Sequence, residues 1–177
     1  AGDPVDQTLQ KLLPLLDKGD ILIDGGNSNY HDTNRRFHEM EKHGIHFIGM
    51  GVSGGEEGAL NGPALMPGGD EEAYKEVAPI LEAIAAKNKE GKPCVSYMGP
   101  EGAGHYVKMV HNGIEYAIMQ EFSEVYSLLR DVAHKSDDEM SEIFDKWNHS
   151  VVQAYLSEIT SKVLKQKDDL TSDNIID

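Results

Sequence analysis

Ile21-Leu22-Ile23 closed by Asp24-Gly25-Gly26-Asn27 is the stretch on which the architecture turns. A short continuous apolar run ended by turn residues reads as a parallel strand buried on both faces, not a half-exposed one. Upstream, Asp3-Pro4 opens a helix whose apolar positions Val5, Leu9, Leu12, Leu13 and Leu16 keep helical spacing until Gly19 stops it. Downstream, the pattern predicts a second helix from about Tyr30 to His43, ended by Gly44, and another strand at Ile45 to Ile48. Helix and strand alternate, which predicts the α/β class with a doubly wound, Rossmann-like sheet.

The next segment is glycine-dense. Residues 49 to 69 read as loops serving close backbone approach, with Leu65-Met66 a brief apolar island. Asp70 is placed to cap a helix running through Ala85, and a last short strand is expected around Cys94 to Met98. After Gly99-Pro100-Glu101-Gly102 the pattern becomes helical throughout. One long helix is predicted from about Ala103 to Ala133, Ser136-Asp137-Asp138-Glu139 is a capping box, and Leu156, Ile159, Val163 and Leu164 mark a helix over Ala154 to Lys165. The expected division is an α/β part over 1–101 and the beginning of an all-α part over 102–177.

Composition narrows the function classes. The 177 residues are 39% apolar, enough for a packed core, and carry a net charge of -15. Such acidity, with no cluster of Lys and Arg, argues against nucleic-acid binding. Cys94 is the single cysteine, expected as a buried structural thiol with no disulfide. No apolar run has the length of a membrane span, so no membrane partner is expected and the expected compartment is cytosolic. Asn148-His149-Ser150 matches a glycosylation acceptor by spacing alone, and is discounted.

On the long helix, Lys108, His111, Asn112, Glu115 and Tyr116 fall on one contiguous arc, with Val107, Val110, Ile114, Ala117 and Ile118 opposite. A solvated face is the ordinary explanation of a polar stripe, and is mostly Lys and Glu. This one mixes an ammonium, an imidazole, an amide, a carboxylate and a phenol, a set suited to proton transfer and to orienting an oxygen-rich ligand. Lys108 and Glu115 lie about 10 Å apart along the axis, the span of a small substrate.

Gly49-Met50-Gly51-Val52-Ser53-Gly54 satisfies G-x-G-x-x-G after a predicted strand. It is rejected as a dinucleotide fingerprint, because Gly55-Glu56-Glu57-Gly58 intervenes before any helix and puts two carboxylates where phosphates would lie. Ser53-Gly54-Gly55 reads better as a substrate loop presenting backbone N–H groups and a hydroxyl. Asp24-Gly25-Gly26-Asn27 ends its strand where open α/β sheets place ligands. His105 and His111 lack a third ligand at usable spacing, so no metal is expected.

Asp24-Gly25-Gly26-Asn27-Ser28, Gly51-Val52-Ser53-Gly54-Gly55-Glu56-Glu57-Gly58, Leu65-Met66-Pro67-Gly68-Gly69 and the run Gly102 to Tyr116 together resemble the 6-phosphogluconate dehydrogenase family. The likeness extends along the whole chain. It implies oxidative decarboxylation of 6-phosphogluconate to ribulose 5-phosphate and CO2 with reduction of NADP, in the pentose phosphate pathway, by a homodimer. In that resemblance Lys108 is the general base, which must be an unprotonated amine when it acts, and Glu115 is the acid that protonates the enediol. Ser53, Gly54, Gly55, His111 and Asn112 hold the sugar acid and Tyr116 helps hold its phosphate. Asn27 touches substrate and nicotinamide, with Ala1 also on the cofactor side.

The related 3-hydroxyisobutyrate dehydrogenases share a Ser-Gly-Gly loop and a Lys-to-Asn spacing. Glu56-Glu57, His111-Asn112 and Glu115-Tyr116 favour the phosphogluconate branch. The resemblance places the phosphate-binding glycine loop before Ala1 and the phosphate-binding cations after Asp177. Arg35 and Arg36 are expected on an outer helix, leaving Lys108 as the site's only cation. This chain alone is therefore expected to bind cofactor poorly and to be inactive outside the full-length protein. A non-catalytic binding or assembly domain is the alternative.

Overall fold

The structure is a computed structural model and describes residues 1–171 and 173–176. The chain divides into two compact units, Ala1–Asn112 and Gly113–Asp177.

In the first unit, α1 (Asp3–Leu12) and a 3-10 turn (Leu13–Leu15) lead into β1 (Ile21–Asp24). α2 (Tyr30–Lys42), β2 (His46–Ser53), α3 (Gly55–Asn61), β3 (Ala64–Gly69) and α4 (Glu71–Ile84) follow. The sheet order is β1-β2-β3. β1 runs parallel to β2, pairing Ile21 with His46 and Asp24 with Gly49. β3 returns antiparallel, pairing Ile48 with Gly69 and Ser53 with Ala64. Side chains of a strand alternate between faces, and β2 uses that alternation fully. Ile48 and Met50 point toward α4 and join Leu65, Ala73, Leu81 and Ala85 in one core. Phe47 points the other way and packs with Leu9, Met40 and Ile45 under α1 and α2. Gly49, Gly51 and Ser53 share that second face.

The glycines at 49 and 51 are therefore spaced for a strand, and what they admit is a helix. A side chain at Gly49 would collide with Thr33, and its Cβ would lie 3.0 Å from His105 Nδ1. At Gly51 it would lie 2.5 Å from Lys108 Cβ. On the partner surface, Gly104 meets the carbonyl oxygens of Gly49 and Met66, and Gly68 meets the Gly104 nitrogen. Glycine facing glycine lets the first turns of α5 (Ala103–Ser127) lie directly on β2 and β3.

Several expectations are corrected. The glycine-dense stretch is not loop: it holds α3 and β3, and β3 is antiparallel, so the sheet is mixed. Glu56 and Glu57 stand in the first turn of α3, where carboxylates complement the positive end of the helix. The strand expected at Cys94 to Met98 is only an isolated parallel bridge between Leu65 and Val95. Leu65 N donates to Cys94 O and Met98 N to Pro67 O, but Pro67 has no N–H with which to continue the ladder between them. Cys94 is half-buried, not buried. β2 is also twice the expected length, because glycine does not end a strand whose face a helix covers.

In the second unit the α-helical part of α5 ends at Ser127, and Leu128–Val132 form a π turn. α6 (Asp137–Asn148) opens with the expected capping box, Ser136 with Glu139. α7 (Tyr155–Val163) completes the described elements. Met140 and Phe144 of α6 pack with Leu164, Phe122 and Tyr126. Among the described residues no helix is long and apolar enough to cross a membrane.

Candidate active site

The end of β1 is shaped by one carboxylate. Asp24 Oδ1 accepts from Gly26 N at 2.9 Å and Oδ2 from Ser28 Oγ at 2.6 Å, so both oxygens are used to fold the turn. Asn29 then caps α2, its side chain accepting from His31 N at 2.9 Å. Asn27 is left exposed at the tip of this turn.

Beneath the turn lies Arg36, whose side chain is fully buried. Its guanidinium makes a two-pronged pair with Asp6, Nε to Oδ1 at 2.9 Å and Nη2 to Oδ2 at 2.8 Å, and reaches Gly2 O at 3.0 Å. The expectation that Arg36 lies on an outer face is thus wrong. Helical spacing shows which residues share a face, but not that α1 supplies a carboxylate to that face. Arg35 does lie outside, on Asp6 and Asp32. Arg36 is spent on Asp6 and holds α1 against the Asn27 turn.

The pair has a pH signature. Arg36, more than Arg35, holds the Asp6 carboxyl down at about 2, against the opposing effect of burial. A depressed carboxylate stabilises above its unfolded value and loses that contribution as pH falls toward the folded one. Stability is therefore expected to drop by about 2 kcal/mol between roughly pH 4 and pH 2 from this group. Urea unfolding of the wild type and of Asp6→Asn across that range checks it. Identical pH slopes in the two proteins would exclude the pair as the cause.

Above the turn is a cavity of about 320 Å³ lined by Asn27, Ser28, Asn29, Tyr30, His105, Lys108, Met109 and Asn112. Three of the sequence candidates, Asn27, Lys108 and Asn112, thus meet at one cavity. Lys108 is only 9% exposed, whereas Val110 on the opposite, apolar side is 41% exposed. The burial of α5 is opposite to what its pattern suggests, because Gly51 accepts the Lys108 stem where an apolar side chain would ordinarily sit. Lys108 Nζ makes no hydrogen bond or ion pair with the described residues, so it is available to a ligand. His111 does not line the cavity; its Nδ1 lies 3.2 Å from Asn112 Oδ1 and steadies that amide.

The other candidates lie elsewhere. Ser53 ends β2, Gly54 with φ 144 caps α3, and Gly55 with φ 57 begins it; none lines the cavity. Ser53 nonetheless shares the β2 face of Gly51, the face on which Lys108 lies. Ala1 is exposed at the start of the chain. Glu115 and Tyr116 belong to the second unit, Glu115 half-buried and Tyr116 71% exposed. G-x-G-x-x-G is again unfit for phosphates, though on different ground from that given by the sequence. A helix does follow it, but Gly49 and Gly51 are covered by Thr33, His105 and Lys108. Among the described residues no cluster of three His, Cys, Asp or Glu could hold a metal.

His105 was weighed in the sequence only as a metal ligand. It is 2% exposed, and its Nδ1 lies 2.7 Å from Thr33 Oγ1. Burial pushes its imidazole below the usual value, partly opposed by the charge of Asp24, so the ring is neutral at pH 7. Its position three residues before Lys108 was the signal that could have placed it on the same surface.

An α/β segment of Rossmann-like type runs on in sequence into a helical region, with Lys108 buried close to where they join. Residues 1–99 match the model of the NAD binding domain of 6-phosphogluconate dehydrogenase, and residues 104–177 match that of the 6-phosphogluconate dehydrogenase C-terminal domain. The chain belongs to the 6-phosphogluconate dehydrogenase family. It is 60% identical to the decarboxylating 6-phosphogluconate dehydrogenase of Lactococcus lactis subsp. lactis and 57% identical to the NADP(+)-dependent, decarboxylating enzyme of Bacillus subtilis. Both matches cover 100% of this chain and 38% of the relative. The chain thus spans well under half the length of these relatives. The solved structure of Plasmodium falciparum 6-phosphogluconate dehydrogenase, studied apo, with NADP+ and with 6-phosphogluconate, superposes with a TM-score of 0.93 at 44% identity. That match covers 99% of this chain and 38% of the other.

Proposed function

We propose that this chain is the middle segment of an NADP-dependent, decarboxylating 6-phosphogluconate dehydrogenase that works as a homodimer. Residues 1–101 are the end of its dinucleotide-binding domain and 102–177 the beginning of its helical domain. The observation that carries the reading is Lys108: an amine buried on Gly51, without a partner among the described residues, lining a cavity shared with Asn27 and Asn112. A solvated face has no use for such a group, and neither has an assembly module.

NADP, when bound, takes up the hydride from the substrate alcohol. Asn27, exposed at the tip of its turn and lining the cavity, would touch both the substrate and the nicotinamide; the Gly49-to-Gly54 stretch, covered by Thr33, His105 and Lys108, fits no part of the cofactor. Lys108 Nζ accepts the proton of the alcohol, holds it beside the new carbonyl oxygen and returns it there as the carboxylate leaves as CO2. Glu115, as the neutral acid, then gives a proton to the enediol carbon while Lys108 Nζ takes the proton of the enediol hydroxyl, forming the ketone. Asn112, with His111 behind it, and Ser53, Gly54 and Gly55 orient the sugar acid, and Tyr116 contributes to its phosphate end.

The test is turnover by the full-length protein carrying this segment. NADPH and CO2 are expected to appear in equal amounts with 6-phosphogluconate, and 3-hydroxyisobutyrate is expected to be a substrate at least about 10²-fold poorer in kcat/KM, since it offers this polar site fewer partners. Equal use of both acids, or NADPH without CO2, would refute the assignment.

A further inference from the structure

The cavity around Lys108 has two walls. One is residues 27–30, the turn that runs into α2, and the other is the stretch of α5 that carries Lys108 and Asn112. The reaction needs these walls at a fixed separation, since a group displaced by about 1 Å can lose about 10²-fold in rate. The contacts between the two helices include a bond from Gly102 N to Asn34 Oδ1 at 2.7 Å and an edge-on meeting of the Tyr30 and Tyr106 rings, 5.1 Å between centroids. Asn34 is only half-buried and Tyr106 is exposed, so water competes at both. Thr33 Oγ1 and His105 Nδ1, 2.7 Å apart, join the same helices through two buried side chains.

The two branches of Thr33 do different things. Its methyl occupies the space that a side chain at Gly49 would need, and so packs on β2. Its hydroxyl reaches His105, and the tie holds whichever of the two carries the shared hydrogen. Thr33 is also fixed to the turn: its N–H donates to Asn29 O at 3.1 Å, two residues beyond Asn27, and its Oγ1 lies 3.2 Å from the same oxygen. On the other side, His105 stands three residues before Lys108 and shares its face of α5. The glycine contacts of α5 with the sheet set how close the helix lies, but a surface without side chains does little to stop it turning about its own axis. A ring held by a buried hydroxyl does stop it.

Resting on the proposed function, we infer that Thr33 is a positioning residue for the reaction: through the His105 ring its hydroxyl sets the place of Lys108 relative to the Asn27 turn. Thr33 does not line the cavity, so its effect on the chemistry passes through its two neighbours. No solvent reaches the hydroxyl, so no water replaces it once it is removed.

Two substitutions separate positioning from packing. Thr33→Val keeps the methyl and loses the hydroxyl; Thr33→Ser does the reverse. In the full-length protein, Thr33→Val is expected to lower kcat for 6-phosphogluconate about 10-fold with KM within about 3-fold of the wild type. Thr33→Ser is expected to hold kcat within about 3-fold, although its missing methyl lowers the unfolding midpoint. Wild-type kcat in Thr33→Val, or a fall in Thr33→Ser as large or larger, overturns the inference and leaves Thr33 a packing residue. Should Thr33→Val fold poorly, Thr33→Ala is compared with Thr33→Ser, from which it differs only by the hydroxyl: kcat should be about 10-fold higher in the serine variant, and equal values reject the inference. A wild-type protein that does not turn over 6-phosphogluconate would refute the proposed function and this inference with it, whereas an active wild type matched by Thr33→Val refutes the inference alone.

Discussion

Lys108→Met in the full-length protein is expected to lower kcat for 6-phosphogluconate by about 10³-fold, with KM changed far less. Methionine fills nearly the same space along the stem, and Gly51, against which that stem packs, is untouched. The unfolding midpoint should therefore stay close to that of the wild type, with a cost under about 1.5 kcal/mol. The loss would then be chemical: no other amine lines the cavity, and the nearest buried cation, Arg36, is committed to Asp6. Steady-state turnover alongside urea unfolding separates the two quantities. Retained turnover would remove Lys108 from proton transfer and with it the mechanism above.

Gly104→Ala should produce the largest loss of stability, about 3 kcal/mol or more. The added methyl would run into the carbonyl oxygens of Gly49 and Met66 and lie 2.7 Å from Gly68 N. All three are backbone atoms of paired strands, so no side chain can swing aside and α5 must lift from the sheet. Lys108 and His105 ride on that helix, so activity should fall even in molecules that remain folded. Gly113→Ala is the internal control: nothing lies within 4 Å of its new methyl, and a helical alanine in open space should stabilise by about 0.5–1 kcal/mol. Denaturation of both variants gives the comparison. A cost below about 1 kcal/mol at Gly104 would mean that helix and sheet are not in the close contact on which the site depends.

Much of this was legible in residue order because it is local. Ile21 to Ile23 followed by Asp-Gly-Gly forms β1 with its turn, although Ile23 is exposed and the strand is not buried on both faces as expected; Asp70 caps α4 by accepting from Ala73 N, and Ser136 pairs with Glu139 at the start of α6. The turn after β1 and both caps depend on residues within four positions of one another, whereas β1 itself needs β2 to pair with. The glycine-dense stretch misled for the same reason. Read locally, 49 to 69 is loop; in the fold it is most of two strands and a short helix, because the missing side chains make room for another element.

Residue types at helical and strand spacing, by themselves, determined the α/β class, the passage to helix after Gly102 and the shared arc of Lys108 and Asn112, while the family resemblance rested on four motifs quoted residue by residue. Which arc is buried was decided only by the tertiary structure. α5 turns its lysine toward the sheet and leaves Val110 exposed, Arg36 finds its carboxylate thirty residues upstream on α1, and His105 is left with one nitrogen unmatched. The physical reason is common to all three. A spacing tells which side chains share a face, whereas the free energy of burying a charge or a donor depends on what another element brings to that face.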